Sequence, residues 1–294
     1  MNASWKTIAV SPVSPALGAE IADVDIAGGI GDEQFDEIRQ VFSEYGVVFL
    51  RDQDITPEQH IAFARRWGKI NVNRFFNALD GYPLIAEVRK EPEQTTNIGG
   101  SWHTDHSYDQ VPAMGSILYA REVPSVGGDT LFASMYAAHD SLSDGLRNTL
   151  SRMRAEHSSE HVFGKDGYAA THPGDYAGRV GNFDAATQTA THPVIIKHPL
   201  SGRPALYVNG SFTVKFEGWS VEESQPLLDY LFEHASREEF TCRFKWRKGS
   251  LAIWDTRATH HRALNDYPGE RRVMHRIPVD GEALMPALSA ATKR

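Results

Sequence analysis

The sequence predicts a mainly β fold with helices packed outside it. Three observations carry this. Short segments rich in β-branched and aromatic residues recur at 83–89, 114–121, 193–198, 204–209, 240–246, 250–254 and 271–279. Only a few amphipathic helices lie among them. No strand–helix–strand alternation of the parallel kind runs through the chain, so a β-rich barrel or sandwich with outer helices is expected.

Taken in order, the first sixty residues mix both kinds of pattern. In "DEQFDEIRQVFSEY" (32–45), Phe35, Ile38, Val41 and Phe42 recur at spacings of three and four, a helix with one buried stripe. "GVVFLRD" (46–52) reads as a buried strand. "TPEQHIAFARRWG" (56–68) opens with Thr56 as N-cap, Pro57 at the first helical position and Gln59 at the capping-box position; Gly68 ends it. "SVEESQPLLDYLFEHAS" (220–236) has the same box in Ser220 and Glu223, with Pro226 awkwardly inside. The stretch 157–192 has weak periodicity and much Gly, His, Asp and Ala. It reads as a long loop over a β scaffold, where binding residues often sit.

Length and composition set bounds. The chain has 294 residues, 41% of them apolar, and one domain covering 1–294 is expected, with an active-site loop inside 157–192. The single cysteine, Cys242, excludes an internal disulfide and a cysteine zinc site. One buried thiol suits a reducing, cytoplasmic compartment. "MNASWKTIAV" has no basic region followed by an apolar one and is not expected to be a signal peptide. There is no apolar run of about 18 residues, so no membrane span is expected. The net charge of −8 argues against nucleic acid as a partner. It leaves open a small anionic ligand, and a homo-oligomer of two or four chains is expected.

The chemistry-bearing stretch is "SWHTDHSYDQ" (101–110). If 101–105 form or end a strand, His103 and Asp105 point to one face and Thr104 to the other. That pair offers an imidazole nitrogen and a carboxylate oxygen to one ion. A second histidine completes the two-histidine-one-carboxylate set of non-haem Fe(II) oxygenases, and "IWDTRATHHRALNDY" (253–267) offers His260 and His261. The H-x-D pattern alone is common, and His106 or the 260–261 pair read equally well as surface residues. "ERRVMHRIPV" (270–279) alternates as a strand with Arg272, Met274 and Arg276 on one face and Arg271, Val273 and His275 on the other. Met274 between two arginines suggests an inward anion clamp rather than a solvated face.

Together "WHTD", "VPSVGGDTLFASMYAA", "HPLSGRPALYVN" and "WDTRATHHRALNDYPGERRVMHR" resemble the taurine dioxygenase family of Fe(II)/2-oxoglutarate-dependent dioxygenases, from about residue 17 to 276. The resemblance implies a double-stranded β-helix, or jelly roll, with flanking helices. It implies Fe(II) as the metal and 2-oxoglutarate and O2 as co-substrates. The metal ligands become His103, Asp105 and His261, seven residues after Trp254, with His260 turned elsewhere. Arg272, eleven residues further on, and Thr130 of "GGDT" become the holders of the distal 2-oxoglutarate carboxylate. Arg276 falls where the family grips an anionic substrate, and Phe163 and Phe212 where it has pocket phenylalanines. Asn73 and Gly99 stand in place of a histidine and an asparagine of the taurine enzyme, and His106 in place of an apolar residue. A small or medium organic anion larger than taurine is therefore expected, anchored by Arg276 unless that arginine pairs with a protein carboxylate, Asp255 for instance, and only shapes the wall. C–S or C–O cleavage is expected where hydroxylation falls beside a heteroatom. A zinc hydrolase using the same three ligands and a non-catalytic binding protein are the competing readings.

Overall fold

The computed structural model describes residues 5–176 and 178–287. Among these, strands gather into one sheet of eight and three sheets of three. The large sheet runs Ala9–Pro12, Ala19–Ala22, Val47–Leu50, Leu251–Asp255, Ala113–Glu122, Arg272–Asp280, Tyr82–Lys90 and Ala78–Leu79. Its pairings are antiparallel except that of Ala19–Ala22 with Val47–Leu50.

Each face of this sheet is covered differently. On the outer face lie helices Asp32–Tyr45 and Pro57–Trp67. Their apolar stripes (Phe35, Ile38, Val41, Phe42, Phe63 and Trp67) pack on Val48, Leu50, Ile117 and Ile277. Thr56 and Gln59 close a reciprocal capping box, Gln59 N donating to Thr56 Oγ1 at 3.3 Å and Thr56 N to Gln59 Oε1 at 2.8 Å. Ser220 and Glu223 do the same for Val221–Ala235, which continues through Pro226.

On the inner face lies a sheet in which Thr130–Ser134 pairs between Thr241–Phe244 and Thr259–Ala263. Between the two sheets Phe49 stacks on Phe244 at 4.0 Å, with Phe132, Trp254 and Met274 around them. Each such buried ring stabilises the fold by about 1.5–3 kcal/mol. This sheet-on-sheet core with outer helices is the jelly roll expected from the sequence.

Two local expectations need correction. Residues 101–105 are not a strand. His103 alone makes a bridge, to His261, through His261 N to His103 O at 2.8 Å and His103 N to His261 O at 3.1 Å, and the chain then turns. The stretch 157–192 is not a plain loop. It ends one strand (Arg154–Ser158), carries the helical turns Glu160–Phe163, Tyr168–Thr171, Pro173–Tyr176 and Phe183–Ala185, and begins another strand (Thr189–Pro193). Its short turns lack the repeat length that periodicity needs.

Candidate metal centre

The bridge between His103 and His261 sets the site. It brings two segments far apart in sequence into register, with ring centroids 4.1 Å apart. The turn that follows delivers Asp105. Its Oδ1 lies 3.7 Å from His103 Nε2 and its Oδ2 lies 3.8 Å from His261 Nε2. One ligand atom from each of the three residues lies within 4.8 Å of the other two, a spacing that one ion at their centre satisfies. All three are buried. Thr104 points away, its hydroxyl donating to the Thr256 carbonyl. His260, the alternative ligand, faces the other side of the same strand and is buried there. Gly99 closes over the site at φ 81°, and a Cβ there would stand 3.2 Å from the His103 ring.

The electrostatics prepare these groups for a cation. Burial lowers the His103 and His261 pKa values, for His261 well below the ordinary range, so both rings are neutral near pH 7. The Ser101 carbonyl accepts from His103 Nδ1 at 2.8 Å, which leaves Nε2 with its lone pair toward the centre. Burial pushes the Asp105 carboxyl up, but Arg276 and the neighbouring histidines outweigh it, and the group is held far below the usual carboxylate range.

A cavity of about 780 Å³ opens on the three ligands and is also lined by Thr130, Arg272 and Arg276. Arg272 is buried, and its Nε and Nη2 have no hydrogen-bond partner among the described residues. Burial lowers its pKa, opposed by Tyr267 and Asp129. Such a cation is costly unless a ligand pairs with it. Trp246 joins it to Thr130: the indole Nε1 donates to Thr130 Oγ1 at 2.9 Å, and the Arg272 guanidinium sits 5.8 Å from the ring centroid. The Thr130 hydroxyl hydrogen is thereby left for another acceptor.

Two neutral histidines and an ionised carboxylate, beside an arginine whose Nε and Nη2 lack partners among the described residues, are the donor arrangement that Fe(II) and a dicarboxylate need. The comparisons agree. Residues 9–277 match the model of the taurine catabolism dioxygenase TauD, TfdA family. The chain belongs to this family. It is similar to the alpha-ketoglutarate-dependent sulfate ester dioxygenase of Pseudomonas putida, at 31% identity over 93% of this chain and 89% of that protein. It is also similar to the alpha-ketoglutarate-dependent 2,4-dichlorophenoxyacetate dioxygenase of Cupriavidus pinatubonensis, at 32% identity over 95% of this chain and all of that one. The crystal structure of a taurine dioxygenase from Burkholderia xenovorans superposes with a TM-score of 0.80, at 31% identity over 96% of this chain and 94% of that one. The protein is thus an Fe(II)- and 2-oxoglutarate-dependent dioxygenase with a small-molecule substrate.

The remaining residues singled out in the sequence also line this cavity, with qualifications. Phe163 stacks on Phe75 at 4.5 Å and lies 6.2 Å from Phe212, which meets Tyr108 edge-on at 4.9 Å. Asn73 borders the cavity, but its Oδ1 is occupied in a turn, accepting from Phe75 N and Phe76 N at 2.9 Å each. Arg276 is paired, and not with Asp255. Its Nη2 lies 2.6 Å from Asp105 Oδ2, and its Nε and Nη2 donate to Ser116 Oγ at 3.2 and 2.9 Å. Asp255 is taken by Arg257 and His198. His106, read as either a surface or a pocket residue, is buried at φ 59°, with Nδ1 3.1 Å from Asp109 Oδ2. Sequence reasoning missed Tyr108, Phe76, Ser116 and Trp246. Tyr108 stood within the quoted H-x-D stretch; the other three carry no local signal.

Proposed function

We propose that His103, Asp105 and His261 hold Fe(II), that Arg272 and Thr130 take the distal carboxylate of 2-oxoglutarate, and that the substrate is a small or medium organic anion. Arg276, Phe163, Phe212, His106 and Asn73 face that substrate. The observation that carries this is the unpartnered Arg272 in the cavity of the His–Asp–His cluster. A zinc hydrolase needs the three ligands but has no use for that cation.

Bound Fe(II) supplies O2 activation, coupled to decarboxylation of 2-oxoglutarate to succinate, for oxidation of a substrate C–H bond. The chain's part is positioning. Neutral His103 and His261 give lone pairs, and Asp105 gives one negative charge. Arg272 and Thr130 orient the keto acid, and the phenylalanines exclude water. Where the oxidised carbon bears oxygen or sulfur, hydroxylation leads to C–O or C–S cleavage.

A charge count favours a monoanion. Asp105 and one carboxylate of 2-oxoglutarate would together balance the two charges of Fe(II), and the distal carboxylate would balance Arg272. Asp105 then no longer compensates Arg276, and one positive charge is left for the substrate. The similar proteins named for sulfate esters and for 2,4-dichlorophenoxyacetate also act on organic anions. The test is substrate-dependent succinate release across sulfonates, alkyl sulfates, aryloxy acids and their neutral analogues. The acids should be turned over and the neutral analogues should not.

The same reading takes 1–294 as one catalytic domain whose 157–192 segment walls the cavity with His161, Val162, Phe163, Tyr168 and Tyr176. It places the enzyme in the cytoplasm, supported by the buried free thiol of Cys242. The net charge of −8 speaks against nucleic acid as a partner. No helix of the described residues is long and apolar enough to cross a membrane. The same reading keeps the dimer or tetramer expected from the sequence.

A further inference from the structure

His106 lines the cavity, is 2% exposed, and has no hydrogen-bond partner for Nε2 among the described residues. Of the other buried histidines with an unmatched nitrogen, His60, His157 and His260 do not line it, and His261 is one of the three residues of the metal cluster. The other face of the His106 ring system is fixed. Nδ1 meets Asp109 Oδ2 at 3.1 Å, and Arg74 Nη2 donates to both Asp109 oxygens at 2.8 Å. The turn is held as well, by Asp109 N to His106 O at 3.0 Å, by His192 Nε2 against Asp109 O at 3.0 Å, and by Asn209 Nδ2 to Ser107 Oγ at 3.1 Å.

A carboxylate already paired with arginine accepts from Nδ1–H, and that choice of tautomer makes Nε2 an acceptor. A buried acceptor with no donor is a cost that a ligand's O–H or N–H removes. Arginine cannot supply this recognition, because it only donates. The two groups therefore read different parts of one molecule, Arg276 its negative charge and His106 a hydrogen-bond donor.

We infer that His106 is a specificity residue that accepts, through Nε2, a hydrogen bond from an O–H or N–H group on the substrate anion. This rests on the reading of the cavity as the seat of an organic anion. Arg74 and Asp109 are positioning residues that set the ring's tautomer and orientation. The site thus prefers organic monoanions that also carry a hydroxyl or an amide N–H over simple alkyl or aryl acids.

The test is calorimetric binding to the enzyme loaded anaerobically with Fe(II) and 2-oxoglutarate. The probes are hexyl sulfate with its 2-, 4- and 6-hydroxy derivatives, phenoxyacetate with its three ring-hydroxylated derivatives, and hexan-1-ol as the neutral control. In the native enzyme at least one hydroxylated member should bind about fivefold or more tighter than its parent. That ratio should fall to about one in His106→Phe, which keeps the ring and loses the acceptor. It should persist in His106→Gln, whose Oε1 can accept. The inference is overturned if no hydroxylated member is preferred by the native enzyme, which needs no variant to fold, or if the preference survives in His106→Phe. If hexan-1-ol binds as well as the sulfates, or no acid binds, the anion reading itself fails and takes this inference with it.

Discussion

Arg276 Nη2 lies 2.6 Å from Asp105 Oδ2, so the carboxylate of the metal site is already paired with a guanidinium. Both residues are buried. On the proposed reading, a cation at Asp105 would free the charge of Arg276 for a bound anion.

Arg276→Met should therefore destabilise the metal-free protein more than the metal-loaded one. Leaving a buried charge unmatched costs about 3–5 kcal/mol. Mn(II) at the site supplies the missing positive charge. The gain in melting temperature on adding Mn(II) should be larger in the variant than in the native protein; equal gains would contradict the coupling.

Arg272→Ala should raise the 2-oxoglutarate requirement about tenfold or more with little change in metal affinity, because charge-assisted bonds in a buried pocket contribute about 1.5–3 kcal/mol. Arg272→Lys should restore only part of the loss, since lysine lacks the planar fork. Titrating 2-oxoglutarate and the metal separately checks this. Unchanged 2-oxoglutarate affinity in Arg272→Ala would reject the assignment.

His261→Ala should abolish tight Mn(II) binding, whereas His260→Ala should keep it and lose only stability. His260 is buried on the opposite side of the strand, and burial pushes its pKa down to about 3. Metal titration of the two folded variants separates these outcomes, and loss of binding in His260→Ala alone would reverse the choice of ligand.

Much of this site was legible, for a physical reason. Alternation and residue type singled out His103, Asp105, the His260–His261 pair, Arg272 and Arg276, while the choice of His261 and the role given to Arg272 came from the family resemblance. The capping boxes at Thr56 and Ser220 were legible because each is closed within four residues. The alternation argument for 101–105 put His103 and Asp105 side by side by the wrong geometry, since a single bridge and a turn, not a strand, align them. The partner of Arg276 was not legible. Asp255 was the near candidate, but Arg257 two residues on holds it, and Asp105 comes from a turn distant in sequence. Trp246 as the link between Thr130 and Arg272 was hidden for the same reason: contacts across a sheet sandwich leave no periodic trace.

Acid should weaken the fold through His60. Burial pushes its pKa down to about 3, the nearby His275 adds to this, and neither ring nitrogen has a partner among the described residues. A histidine with a depressed folded pKa stabilises fully above its unfolded value of about 6.5, and that contribution is lost as pH falls from there toward 3. By pH 5 the loss is about 2 kcal/mol at about 1.4 kcal/mol per pH unit. His60→Leu should flatten the fall in denaturation midpoint between pH 7 and 5, and identical slopes for variant and native would contradict it.

The central claim is that one cavity holds Fe(II) on His103, Asp105 and His261 and 2-oxoglutarate on Arg272. Anaerobic visible spectroscopy tests it most directly, because a weak charge-transfer band arises only when the keto acid chelates the iron. The account predicts a band that requires both Fe(II) and 2-oxoglutarate, is absent in Asp105→Ala, and needs about tenfold or more 2-oxoglutarate in Arg272→Ala. No band in the native protein, or one indifferent to both substitutions, would contradict it.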